Sequence, residues 1–395
     1  MSSSRTYLQT HPWIDFRLDL RGADPELWML LGEARSRIEH IAGSLLRPES
    51  AQELHRVYLA KGVLATTAIE GNTLSEDEAR QLVDGTLRLP PSREYLAREM
   101  HNVIDAFNEI TREVIGSDDS FSALDRATIE RYNAMILAGL SVEEGVTPGE
   151  LRRHSVVVAN YRGAPAEDCE YLLDRLCHWL LSDDFRAPSP DWKLPYAILK
   201  AILAHLYLAW IHPFGDGNGR TARLVELRLL FEAGVPTPAT HLLSNHYNQT
   251  RTEYYRHLAL ASRSPDGVRS FVKYAVVGFV DGLRDQLAAI RAQQLRDRWE
   301  QYVYERFGSA KGGAEQRRRR LVLDLAASGS QPVPKHALRR LSPQLAESYA
   351  GKTDKTLTRD VNTLVSEGLL RRSAEGYTAN REIVEAFRPL VAASD

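Results

Sequence analysis

His212-Pro213-Phe214-Gly215-Asp216-Gly217-Asn218-Gly219-Arg220 gathers glycines and polar functional side chains into one short run. Glycines at alternate positions, 215, 217 and 219, free the backbone to bend where side chains would clash. Among them stand a base-capable histidine, a carboxylate, an amide and a guanidinium. Thr221-Ala222-Arg223-Leu224-Val225 then resumes a helix-forming pattern. A Gly-rich turn feeding a helix N-terminus presents free N–H groups and the positive end of a helix dipole, which together attract an anion. Asp216 is suited to hold a hard cation beside that anion, and Arg220 and Arg223 to clamp phosphate oxygens. His212, just ahead of the turn, can take a proton from an incoming hydroxyl. An indifferent surface loop has no reason to combine these groups.

Outward from this stretch the apolar periodicity is helical. Upstream, residues 196–211 bury Leu199, Ile202, Leu203, Leu206 and Trp210 and deliver His212 at their C-terminal end. His205, inside that helix, is expected to pack in the core. Downstream, 221–233 is apolar on most faces and so central. Further helices are predicted over 25–42, 50–69, 75–84, 92–115, 122–140, 167–181 and 268–306. The first 25 residues alternate apolar and polar, as an extended arm packed on the body would. Val156-Val157-Val158 is the strongest strand signal, and 160–163 can close a hairpin. The fold class is mostly α.

Composition narrows the function classes. The 395 residues are 43% apolar with a net charge of −2, which suits two or three packed domains and points to no dominant polyanionic partner for the whole chain. Cys169 and Cys177 make neither a disulfide framework nor a zinc spacing. Met1-Ser2-Ser3-Ser4-Arg5 lacks an apolar signal core, and no run reads as long enough to span a bilayer. No membrane partner is expected, and the expected location is cytoplasmic.

The C-terminal end differs in character. Residues 308–313 read as a flexible linker. Helices are predicted over 317–327, 333–341 and 353–367, followed by a short hairpin over 369–378, an order similar to a winged helix-turn-helix. Residues 311–395 carry a net charge of +5 against −7 for the rest. That basic end suits DNA, although such domains also bind proteins. Gly351-Lys352-Thr353 resembles the tail of a phosphate-binding P-loop, but its required first glycine falls on Ala346 and no strand precedes it.

Residues 212–223, HPFGDGNGRTAR, resemble the signature of the Fic family, His-Pro-Phe-x-Asp/Glu-Gly-Asn-Gly-Arg-x-x-Arg, at every fixed position. Thr66-Thr67-Ala68-Ile69-Glu70-Gly71 resembles the family's inhibitory motif, Ser/Thr-x-x-x-Glu-Gly/Asn. Gly149, Arg152 and 156–161 match its Gly-x-x-Arg turn and β-hairpin flap. Tyr254-Tyr255 with Leu258 resembles a segment flanking the adenine, while Ser262 stands where the family often has Asn, a departure on the base side of the pocket.

The resemblance implies a Fic-type helical bundle with a β-hairpin flap. Its N-terminal region would span 1–110 and the catalytic domain 111–306. A linker at 307–314 would lead to a winged helix-turn-helix-like domain over 315–395. It implies transfer of AMP from ATP to a Tyr, Thr or Ser hydroxyl, with His212 as general base and Mg²⁺ held by Asp216. The ATP site would comprise Val158, Ala159, Asn160 and Tyr161 of the flap, Asp216, Gly217, Asn218, Gly219, Arg220, Thr221, Ala222 and Arg223 of the signature, and Tyr254 and Ser262. Glu70 would inhibit by pairing with Arg223. A target protein would dock on the flap 156–161, while a homodimer and DNA binding through 315–395 stay open. So do removal of AMP, transfer of another nucleotide or phospho-group, and a DNA-binding regulator that modifies itself.

Overall fold

The computed structural model describes residues 5–20, 22–115, 123–158, 161–308 and 312–385. Helix Lys193–Ile211 is apolar on nearly every face and is buried along most of its length. Helix Asn218–Glu232, beyond the loop that follows it, packs directly against it. Around this pair lie Pro25–Ala42, Pro48–Ala68, Glu94–Ile115, Arg126–Ile136 and Cys169–Leu180. The mostly α expectation therefore holds.

Local chemistry sets the helix ends. Asp24 accepts from Glu26 N–H before Pro25, and Ser75 with Glu78 forms a reciprocal capping box on Glu76–Val83. The N-terminal arm holds one short helical turn, Tyr7–Thr10, and then runs extended. It is tied down where Tyr7 N–H donates to Asp168 at 2.8 Å and Tyr207 hydroxyl donates to Asp15 at 3.0 Å.

Residues 247–258 fall on two helices, Leu242–Gln249 and Arg251–Ala261, that meet at Thr250. The Thr250 hydroxyl bonds its own helix at His246 O and meets Tyr274 hydroxyl at 2.6 Å, a side-chain alternative to helix continuation. The expected helix over 333–341 shrinks to one 3₁₀ turn, Leu338–Arg340. Pro334 forces Val333 toward extended backbone, and Val333 instead exchanges two hydrogen bonds with Tyr377. One stretch, Pro190–Ile211, is long and apolar enough to cross a membrane, contrary to the sequence reading, but 72% of its apolar window is buried inside the protein.

The chain forms two compact units, residues 1–44 with 48–288 and residues 45–47 with 289–395. The division thus falls within the helix Pro265–Phe307 rather than at the expected 307–314 linker, of which 309–311 lie outside the described residues. The expected border at 110 has no counterpart, because the N-terminal helices share the first unit's core. In the second unit Trp299 and Val303 are buried with Leu321, Leu325, Leu345, Leu357 and Leu364. Its helices Gly313–Ala327, Pro343–Ser348 and Asp354–Ser366 precede an antiparallel hairpin, Leu370–Arg372 with Tyr377–Ala379.

Gly62 lets the Pro48–Ala68 helix approach the first unit's centre. A Cβ there would lie 2.2 Å from His241 Cγ, inside a fully buried ring packed on Phe107. Gly62→Ala is expected to lower unfolding free energy by about 1–3 kcal/mol through overpacking, despite alanine's better helix propensity. Gly32→Ala, at an exposed helical glycine with open space around it, should be neutral or stabilising. Urea unfolding of both variants checks this, and equal midpoints would contradict the packing argument.

Candidate active site: an anion-binding loop with its own carboxylate

Helix Lys193–Ile211 ends at His212 in the left-handed conformation, φ 50°, with its N–H closing on Leu208 O at 2.9 Å. Holding a non-glycine residue there is unfavourable, and the clamp is Arg152. This buried guanidinium donates to His212 O and His154 O at 2.6 Å each, and also to Ala164 O and Ile211 O. Its own N–H reaches Pro213 O at 3.0 Å. The turn before the flap is thereby fastened to the backbone of the histidine.

His212 is half-buried, and desolvation pushes its pKa down to about 4 despite its bond to Ala209 O and the nearby carboxylates. The ring is neutral at pH 7. Nδ1 faces the Ala209 carbonyl at 3.4 Å, an acceptor only, so the ring proton belongs on Nδ1 in that contact. Nε2 is left with its lone pair, as a general base requires.

Two amides shape the loop. Asn218 donates to Phe214 O at 2.8 Å and accepts from Phe214 N–H at 2.9 Å, so its side chain braces the turn rather than reaching outward. Asn133 donates to Asp216 O at 2.9 Å and Thr221 Oγ1 at 3.2 Å and accepts from Gly149 N–H at 3.0 Å. It joins the loop, the helix start and the pre-flap turn. Gly217, φ 76°, occupies the cap position of Asn218–Glu232, and no side chain caps that helix. The first-turn N–H groups are therefore available to an anion.

The anion present is Glu70. Arg223, buried behind the helix start, donates through Nη2 to Glu70 Oε1 at 2.6 Å and Thr66 O at 2.9 Å. A Cβ at Gly219 would lie 2.1 Å from Glu70 Oε1, so the carboxylate rests directly over that glycine. Burial works against the Glu70 charge, but Arg223, and more weakly Arg220 and His212, hold its pKa below the ordinary carboxylate value. Burial likewise opposes the Arg223 charge, and Glu70 outweighs it to raise that pKa. Arg223 Nε and Nη1 are buried without partners among the described residues.

Arg220 is engaged elsewhere than expected. It donates to Glu99 at 2.6 Å and to Asp216 at 3.2 Å. Glu99 also accepts from Asn72 at 2.8 Å, two residues beyond Glu70. A chain of charge-assisted bonds thus runs from the turn after Glu70 to the Asp216 carboxylate. Arg220 orients Asp216, instead of standing free for phosphate.

Other expected nucleotide contacts are placed differently. Thr221 N–H and hydroxyl both bond Gly217 O at 2.9 Å, and Ala222 is buried in the core, because the open first turn ends at Arg220. Tyr161 turns inward to donate to Trp210 O at 3.0 Å. Tyr254 is buried, stacked on Tyr247, with its hydroxyl 2.9 Å from His205 Nε2; its neighbour Tyr255 is the exposed ring of the pair. His205 is a core residue. Ser262 turns its hydroxyl back to Ala259 O at 3.0 Å. Val158 pairs with Tyr161 in the flap ladder, and Ala159 and Asn160 lie outside the described residues.

A mostly helical domain centred on a histidine, an uncapped helix start and a paired arginine defines the class. Residues 123–230 match the Fic/DOC family, so this part of the chain is similar to a Fic domain. It is 28% identical over 252 residues to the Protein adenylyltransferase Fic of Nematostella vectensis, across 64% of this chain and 53% of that protein. The Drosophila melanogaster protein of the same name is 28% identical over 249 residues, across 61% and 44%. The chain spans about half the length of the curated relatives it matches. In fold it is similar to a crystal structure of a Fic family protein from Desulfovibrio desulfuricans, TM-score 0.53 at 18% identity over 89% and 92% of the two chains. Fic-1 from C. elegans gives a TM-score of 0.54 at 21% identity over 67% and 73%.

The Arg152 clamp generates a prediction independent of any reaction. Arg152→Lys keeps the charge but not the planar fork, leaving buried carbonyls without donors. A loss of about 3 kcal/mol in unfolding free energy is expected, with faster amide exchange around 212–214. Wild-type stability and exchange would show that the clamp is dispensable.

Proposed function

We propose that the protein transfers AMP from ATP to a hydroxyl of a target protein, and that Glu70 holds it inhibited. The observation that carries this reading is a neutral His212, with Nε2 unprotonated, beside an uncapped helix start whose buried arginine is held by the Glu70 carboxylate. The relatives named as adenylyltransferases support ATP as the donor. His212 Nε2 takes the acceptor's proton as its oxygen attacks the α-phosphorus. The Pα–O bond to the β-phosphate breaks and pyrophosphate leaves. The N–H groups at 218–220 and the guanidinium of Arg223 receive phosphate oxygens and the charge that develops on the leaving group.

Among the described residues no three His, Cys, Asp or Glu form a self-contained metal site. The half-exposed Asp216 carboxylate nevertheless fits Mg²⁺, which commonly takes one carboxylate together with substrate phosphates and water. Bound there, the ion would neutralise charge on the phosphates. Arg220 and Glu99 hold the carboxylate that would carry it.

Glu70 and a terminal phosphate compete for the same guanidinium, so ATP meeting the paired state would bind without its productive alignment. The flap supplies the acceptor on this reading. Its two short strands, Val157–Val158 and Tyr161–Arg162, leave Val157 58% exposed, an open edge able to take an extended target segment by main-chain bonding. Such docking reads little side-chain sequence.

His212→Ala is expected to reduce AMP transfer from α-labelled ATP by at least about 100-fold, the scale of a lost general base; a wild-type rate would remove the base assignment. Glu70→Gly should raise self- or target-modification by about 10-fold or more, as expected if a charge-assisted hydrogen bond of this strength no longer holds Arg223. Unchanged labelling across ATP and Mg²⁺ concentrations would remove the inhibitory role. Running GTP, UTP and CDP-choline beside ATP tests the base-side departure at Ser262.

A further inference from the structure

The second unit carries a surface that the transfer chemistry does not use. Helices Pro343–Ser348 and Asp354–Ser366 are joined by the short turn 349–353, in which Gly351 adopts φ 69°. On the longer helix Leu357, Val361 and Leu364 face the unit's core. Lys355, Thr358, Arg359, Asn362, Thr363 and Ser366 form the opposite stripe and line one open surface depression. None of the six is acidic or apolar.

Of the helix's two carboxylates, one is turned away from the stripe and the other is ion-paired at its N-terminal end. Asp360, the helix's internal acid, is turned inward and accepts from Arg317 Nε at 2.8 Å and Tyr349 hydroxyl at 3.1 Å. Asp354, at the helix start, pairs with Arg339. The buried Asp360 network also sets the rotation of the helix about its axis, because any other phase would strand a buried guanidinium. What faces solvent is two cations interleaved with hydroxyls and one amide, with the exposed, Arg339-paired Asp354 carboxylate at the N-terminal end. Arg359 and Asn362, one turn apart, carry the forked donor and amide groups that match guanine and adenine edges. The hairpin beside this helix in the fold carries an exposed Arg372 at its strand end.

We propose that the outward face of Asp354–Ser366 reads base edges in the major groove of duplex DNA. Thirteen residues make a helix about 20 Å long, which fits a groove about 12 Å wide. The deep, narrow major groove of A-form RNA would not admit it. Lys355 contacts phosphate, and Arg359 and Asn362 supply sequence selectivity. Charge complementarity selects the occupant: the face is cationic and polar, whereas a protein-docking face would be expected to present apolar anchors. This assignment is independent of the AMP-transfer reading.

The test uses the full-length chain and a pool of random 30-base-pair DNA duplexes in repeated selection, followed by fluorescence anisotropy on the enriched duplex at several salt concentrations. A recurrent sequence should emerge. Arg359→Ala and Asn362→Ala, both at exposed positions, should each weaken binding to it by about 10-fold or more while leaving weak binding to unrelated duplex intact. Lys355→Ala should weaken both and reduce the salt slope by about one phosphate contact. Failure of any sequence to enrich, or wild-type affinity in both selective variants, would overturn the proposal. Stronger binding to a random RNA pool than to the duplexes would overturn it as well.

Discussion

A guanidinium buried away from water must have acceptors, and Arg223, at the centre of the first unit, has found an anion for one of its groups. Its neighbours are the N-terminus of its own helix and the space above Gly219, both favourable to negative charge. Glu70 satisfies the condition from the end of a different helix, and because Oε1 lies over Gly219 it satisfies the helix start as well. The same two features would favour phosphate. On the proposed function, inhibition and substrate binding are two solutions of one electrostatic requirement. Among the described residues Nε and Nη1 of Arg223 have no partner, so the carboxylate satisfies it only in part.

Around that pair the loop keeps its shape through side chains bonded to backbone. Asn218 closes the turn on Phe214, Asn133 ties three segments together, and Arg152 fastens the pre-flap turn to the carbonyl of His212. Such a loop has few backbone–backbone bonds of its own, so buried amides and a guanidinium take their place. This explains how His212 is held at positive φ with its ring fixed. The site is preorganised by groups that need touch no substrate.

Much of the helical frame was legible because a 3.6-residue apolar rhythm is a local property. The helix at 25–42 and those leading into and out of His212 follow it. Legibility failed where tertiary partners override the rhythm. Val333 pairs with Tyr377 instead of starting a helix, because Pro334 and Tyr377 favour that. Asn133 did leave a trace, as an amide within the apolar stripe Ile129, Tyr132, Ile136, where a polar side chain needs a reason. Glu99 left none. A glutamate on an amphipathic helix looks solvated until the fold brings Arg220 and Asn72 against it.

By itself the sequence determined the chemistry available: a histidine, a carboxylate, three glycines and two arginines in nearly unbroken order, with a remote glutamate suited to oppose them. Those are short-range facts, fixed by covalent neighbours and by what glycine permits. The tertiary structure decided which arginine faces which acid. Arg223 meets Glu70 and Arg220 meets Glu99 and Asp216, although both arginines lie on the same helix, three residues apart. Tyr254, which reads as a ligand contact, is assigned to the core with His205. Pairings of this kind depend on helix rotation and burial summed over the whole domain, and no window of sequence contains that sum.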